Sequence, residues 1–210
     1  MVCCLVMTAV LGCAGPQPRS GEGEASSAGA VASPAPPPEG VLYRFDEGSA
    51  VSFIASKVTR QHAGGFLTVA GEMVLVDGLP ELSRVRAVID TTSVWTDTDA
   101  LTSHLEGVGF LEVATYPWAS FTSTGVRAEE NWQYTITGSF DLHGVAREIS
   151  FPARIEVTAE AIDATASLEL DRHLWGVSFA GAADDLISDT VRIELELHAF
   201  PAATEDKPKT

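Results

Sequence analysis

The sequence predicts an all-β domain of antiparallel strands with one short helix. Three observations carry that prediction. Between residues 41 and 200, apolar side chains recur at every second position rather than every third or fourth. Polar residues fill the alternate positions, so each strand has a dry face and a wet face, as antiparallel sheet requires and buried parallel sheet does not. Turn signals such as Asp77-Gly78, Glu130-Asn131 and His143-Gly144 separate several of the runs.

Before that domain comes a different kind of chain. Val2 to Leu11 is an apolar run too short to cross a bilayer as a helix, and it fits the apolar part of a secretory signal. Val10-Leu11-Gly12-Cys13 resembles the lipobox of bacterial lipoproteins, which implies a signal peptide over 1–12 and a lipidated Cys13 at the mature N-terminus. The alternative is a frayed hydrophobic tail. Residues 14–40 consist almost wholly of Pro, Gly, Ala, Ser and Glu, with Val31 the sole branched aliphatic residue. Such a stretch buries too little to order itself and predicts a disordered tether of roughly 30 Å r.m.s. span. The last residues, 201–210, including Lys207-Pro208-Lys209, also predict disorder.

Within residues 41–200 the alternation is clearest late in the chain. Val191, Ile193, Leu195 and Leu197 interleave with Arg192, Glu194, Glu196 and His198. Ile149, Phe151, Ala153, Ile155 and Val157 form a second dry face, and Tyr134, Ile136, Gly138, Phe140 and Leu142 a third. Ile162, Ala164, Ala166, Leu168 and Leu170 form a fourth. Weaker runs at 51–58, 66–76, 84–91 and 118–126 bring the count to about eight strands. One helix interrupts them: Asp97 or Thr98 caps its start, Leu101, Leu105 and Val108 make its apolar stripe, and Gly107 ends it.

Eight one-sided strands must hide their dry faces against one another. A closed barrel does so and removes reactive edges, and a two-sheet sandwich does so as well. Gly138, Ala153, Ala164, Ala166 and Ala199 share the dry phase with the large residues. Small inward side chains either leave a barrel lumen with room for a ligand or fit the taper of a filled core.

Charge and motifs exclude several function classes. The chain carries 29 acidic against 13 basic residues, a formal net charge of −16, so phosphate backbones repel it and nucleic acid is not a partner. All three cysteines, Cys3, Cys4 and Cys13, precede the domain, which leaves it no disulfide, thiol nucleophile or thiolate metal site. There is no GxSxG elbow, P-loop, dinucleotide fingerprint or HExxH pair. His143 at a turn and His198 on a wet face read as solvated or locally bonded imidazoles. His62, His104 and His173 are the candidates for a metal site that only folding could assemble, and Asp97-Thr98-Asp99 is explained by helix-start preference. No catalytic set and no cofactor is predicted.

Several stretches together resemble the YceI-like family, the lipocalin-like polyisoprenoid-binding domains of bacterial periplasms. They are Val51-Ser52-Phe53, then Gly71, then Ile89-Asp90-Thr91-Thr92-Ser93 and Thr96. Ser103-His104-Leu105-Glu106-Gly107-Val108-Gly109-Phe110-Leu111 follows, with Tyr116-Pro117 and Phe121-Thr122-Ser123-Thr124. Gly138 to Val145 and Asp171-Arg172-His173-Leu174-Trp175-Gly176 complete the series. Leu101-Thr102 stand where the family usually has Arg-Asp, and Trp175 where it usually has Phe.

The resemblance implies an eight-stranded antiparallel lipocalin-like barrel over 41–200, hollow, with a lumen for an isoprenoid chain. The lining it implies comes from the inward phase and the helix: Phe53, Phe110, Phe121, Ile136, Phe140, Phe151, Ile155, Leu168, Trp175 and Phe179, with Phe110 and Trp175 at the mouth. The function expected is non-catalytic binding, storage or transport of a quinone or polyprenyl lipid by a periplasmic lipoprotein. Its partners would be that lipid and the membrane that holds the Cys13 anchor. Ala14 after Cys13, in place of a retaining Asp, favours the outer over the inner membrane. The competing expectations are a filled barrel that meets a protein partner through its outer face or the loops around Asp184 to Asp189, and a histidine-based metalloenzyme.

Overall fold

Of the two arrangements that hide the dry faces of such strands, a closed barrel also pairs every edge, and the strands form one. The structure, a computed structural model, describes residues 39–182 and 185–202. The predicted signal peptide, Cys13, nearly all of the tether, Asp184 and residues 203–210 lie outside the described residues.

The strands are β1 (Val41–Phe45), β2 (Ala50–Lys57), β3 (Gln61–Phe66), β4 (Val69–Val76), β5 (Leu79–Asp90), β6 (Val94–Thr96), β7 (Trp118–Ala128), β8 (Gln133–Leu142), β9 (Val145–Val157), β10 (Ile162–Asp171), β11 (Gly181–Ala182) and β12 (Asp185–Pro201). The ladder runs β1-β4-β5-β7-β8-β9-β10-β12, and β12 returns to β1, with Tyr43 opposite Pro201 and Phe45 opposite Ala199. That is a closed eight-stave antiparallel barrel. β2 continues β1 along the same edge of β12, placing Phe53 opposite Ile193, while β3 continues with β4 and pairs with β2 and β6. The first three staves are therefore each broken in the middle, and the last five are whole.

Each break is patched by side chains. Between β1 and β2 the Ser49 hydroxyl donates to the His198 carbonyl and accepts from the His198 N–H, at 3.1 and 3.0 Å. Between β5 and β6 a 3-10 turn, Thr91–Ser93, is capped by the Asp90 carboxylate, which accepts from the Thr92 N–H at 2.9 Å. Ser93 then supplies its hydroxyl to the Thr68 N–H and its carbonyl to the Leu67 N–H, closing the gap between β3 and β4. The turn signals read from sequence hold tight turns: Asp77 and Gly78, and His143 and Gly144, all have positive φ, a conformation two-residue hairpins need. In the third turn Asn131 is joined in that region by Trp132.

The helix α1 spans Asp99–Glu106 and differs from expectation at both ends. Thr98 is the N-cap but makes no side-chain capping bond, and Asp97 instead holds the His62 imidazole at 2.8 Å. Gly107 does end it, so the predicted stripe stops at Leu105; Val108 lies beyond the helix and is 87% exposed. His198, expected as a solvated or locally bonded imidazole, is the bonded kind: its Nδ1 lies 2.6 Å from Asp163 on the neighbouring β10.

The two ends of the barrel are unlike. At one end, where β1 begins and β12 finishes, Tyr43, Met73, Leu75, Tyr134, Ile155 and Ile162 pack into a solid core. At the other, residues 91–117 with α1 and the segment after β10 fold across the opening.

Candidate functional site

Between the solid core and the covered end lies a cavity of about 230 Å³ whose exposed wall is apolar. Its sides come from inward positions of nearly every stave, and the roof from Leu105, Phe110, Leu111, Trp175 and Val177.

Residue size explains why this half stays open. Ala55, Ala87, Ala119, Ala153, Ala164 and Ala166 all face the space, where their methyl groups reach only a short way inward. Glycine does the rest by letting aromatic rings lie flat on the wall. A Cβ on Gly138 would stand 2.4 Å from the Phe121 ring, and one on Gly64 the same distance from the Phe53 ring, its cross-strand partner. These rings occupy the volume of the missing side chains instead of the lumen.

The roof is fastened from several directions. The N–H groups of Ser178 and Phe179 both donate to the Gly109 carbonyl, at 3.1 and 3.0 Å, and the Phe110 and Phe179 rings meet at 4.8 Å. The Trp175 indole N–H donates to the Phe140 carbonyl, and its ring stands edge-on to Phe140. Arg172 is buried beside it and donates to the carbonyls of Val177 and Ser188 at 2.7 and 2.9 Å, and to that of Ile187 at 3.4 Å. Burial pushes its pKa down, while Asp189 and Asp171 pull it back up. The guanidinium thus ties the 3-10 turn Arg172–Trp175 to β12, and only its carbon stem reaches the cavity wall. Sequence reasoning quoted Arg172 without giving it a role, because a lone Arg in a turn signals nothing until its three carbonyls converge.

His143 is the other surprise. Expected at a turn as a solvated or locally bonded imidazole, it has a side chain only 11% exposed. The Tyr116 ring covers it at 4.4 Å, and its Nε2 stands 3.4 Å from Glu112 with no aligned hydrogen bond. Glu112 in turn accepts from the Gly109 N–H. This cluster pins the far side of the roof to the β8–β9 turn.

Of the ten residues expected to line a lumen, Phe53, Phe110, Phe121, Ile136, Phe140, Phe151, Leu168 and Trp175 border the cavity. Ile155 lies deeper, inside the solid core, and Phe179 is on the outside of the roof, 45% exposed. Phe110 and Trp175 are not rim residues: both are buried, Trp175 to 2% exposure. Val51, Phe66, Val69, Ile89 and Val191 also border the space and were not singled out. His62, His104 and His173 are not brought together as a metal-ligand set among the described residues. His62 pairs with Asp97 and His173 with Asp189. Among the described residues the wall exposes apolar surface only, so what it can do is take hydrocarbon out of water.

Comparison with known proteins agrees with this geometry. The family model described as the YceI-like domain matches residues 43–199. A UPF0312 protein of Pseudomonas putida is 24% identical over 164 residues, covering 72% of this chain and 84% of its own. Protein YceI of Escherichia coli is 30% identical over 119 residues, 54% of this chain and 61% of that protein. Among solved structures, Burkholderia cenocepacia BcnA superposes with a TM-score of 0.65 at 19% identity, covering 71% of this chain and 95% of BcnA. A polyisoprenoid binding domain from Saccharophagus degradans, described as implicated in plant cell wall breakdown, gives 0.64 at 21% identity, covering 77% and 99%. At these identities the two structures share the fold with this chain.

Proposed function

The chain belongs to the YceI-like family, and from that premise we propose that it binds the tail of an isoprenoid lipid in the hollow half of its barrel, as a carrier or store and not as a catalyst. The observation that carries this reading is the apolar cavity wall under a fastened roof. Each methylene moved from water into such a space gains about 0.8 kcal/mol, against the cost of ordering the chain. A polar head group finds no partner inside and stays beyond the roof. The polyisoprenoid-binding description of one neighbour supports the ligand class.

The cellular setting belongs to the same proposal. Cys13 carries the lipid anchor, residues 14–40 are the tether, and the barrel works in the periplasm on the outer membrane. The intact mass of the chain extracted from bacterial membranes tests this: a diacylglyceryl adduct on a chain beginning at Cys13 is expected, and Cys13→Ser should abolish it. An unmodified chain beginning at Met1 would overturn the anchor.

The ligand is tested by native mass spectrometry of the Cys13→Ser chain purified without detergent, followed by solvent extraction. A bound mass that extracts as a prenyl lipid is expected, and Phe140→Trp should lower its occupancy while the chain stays folded. A ligand-free mass unchanged after incubation with quinones and polyprenols would refute the carrier role.

A further inference from the structure

We propose that the solid half of this barrel acts as a length stop, so that the lumen seats about two isoprene units and gains nothing from the rest of a longer chain. This inference rests on the isoprenoid reading above and adds to it the size of the tail. Its basis is the cavity volume, about 230 Å³. An apolar protein cavity of about 150 Å³ holds one benzene, six carbons, so in proportion this one holds about nine or ten. Two isoprene units are ten carbons.

The floor beneath that space is made of large, closely packed side chains. Met73 lies between its cross-strand neighbours Tyr43 and Val85; Val85 borders the cavity, whereas Met73 and Tyr43 are buried in the core. On the opposite staves Tyr134 sits across from Ala153, and Ile155 across from Ala164. Ala153 and Ala164 border the cavity, and Tyr134 and Ile155 close it one position further down. Protein interiors are packed too densely for a chain to slide between such residues without displacing them. Burial, and the affinity it brings, stops where the floor begins. A longer tail leaves its remaining carbons outside the roof, in water or in whatever membrane donates it.

The test is competition by prenol, geraniol, farnesol and geranylgeraniol, of one to four isoprene units, against an apolar fluorescent probe on the full-length chain. Below their aggregation concentrations, affinity should rise about tenfold or more from prenol to geraniol and by less than about threefold for each later unit. Two variants move the floor. Met73→Ala should carry the rise on to farnesol, and Ala166→Phe, which fills the space from its wall, should level the series at prenol. Circular dichroism checks that each is folded; if Met73→Ala is not, Ala166→Phe decides. Affinity that climbs tenfold per unit through geranylgeraniol would overturn the length stop while leaving prenyl binding intact. A plateau that neither folded variant shifts would overturn the role of the floor. Failure of all four alcohols to displace the probe would instead refute the isoprenoid reading itself.

Discussion

The lower and upper halves of the barrel are built from the same staves, yet one is solid and the other hollow. In the lower half Tyr43, Met73, Tyr134, Ile155 and Ile162 converge. In the upper half the inward positions hold Ala55, Ala87, Ala119 and Ala166, and the large rings of Phe53 and Phe121 lie flat over Gly64 and Gly138. Five of the eight staves run unbroken through both halves, and along these the difference resides in side-chain size at successive inward positions. Large, closely packed side chains are concentrated in the solid half, and room for a ligand in the hollow one. The same alternation that closes the sheet therefore allows the two tasks to be tuned separately.

Truncation and filling should act in opposite senses on the two halves. Ile155→Ala removes a fully packed side chain and should cost about 2–5 kcal/mol, read from urea denaturation. Gly138→Val is next: its Cβ meets both the Phe121 ring and the Thr122 carbonyl, so overpacking should cost about 1–3 kcal/mol and turn that ring into the lumen. Ala166→Leu adds carbon to the hollow half, where there is space, and should leave stability within about 1 kcal/mol of the parent while lowering lipid occupancy. A loss as large as that of Ile155→Ala would erase the distinction between the halves.

The smallest effect is a pH dependence confined to the solid end. The hydrogen bond to Asp163 holds the His198 pKa above its ordinary value, aided by the charges of Asp163, Asp46 and Glu196 and opposed by partial burial. A raised folded-state pKa adds stability that is complete below the unfolded value, about 6.5, and is lost as pH rises through the folded one. Denaturation midpoints should thus fall slightly from pH 6 to pH 8.5, and His198→Gln should remove that part of the slope.

Much of this was legible in the sequence, and the parts that were not were hidden for separate physical reasons. β8, β9, β10 and the second half of β12 alternate without interruption, so their boundaries and inward faces were readable directly. β1 and β6 have five and three residues, too short to show a period, and β3 contains Gln61, His62 and two glycines. Those broken staves supply Val51, Phe66, Val69 and Ile89 to the cavity, four of the residues that were not singled out. Depth along the barrel was hidden for a different reason. Ile155 and Phe151 share one face of β9, and only the register with β8 and β10 places the first in the core and the second on the cavity wall. His143 misled because its burial comes from Tyr116, 27 positions earlier, and not from its own strand.

The most direct test of a hollow half that holds a prenyl tail is photolabelling with a geraniol carrying a diazirine on its terminal carbon, mapped by tandem mass spectrometry. Labels should fall on Phe53, Phe140, Leu168 and Trp175, and saturating unlabelled geraniol should suppress them. Labels on the outward-facing Val88, Trp95 and Trp118, or a pattern that geraniol does not compete away, would contradict it.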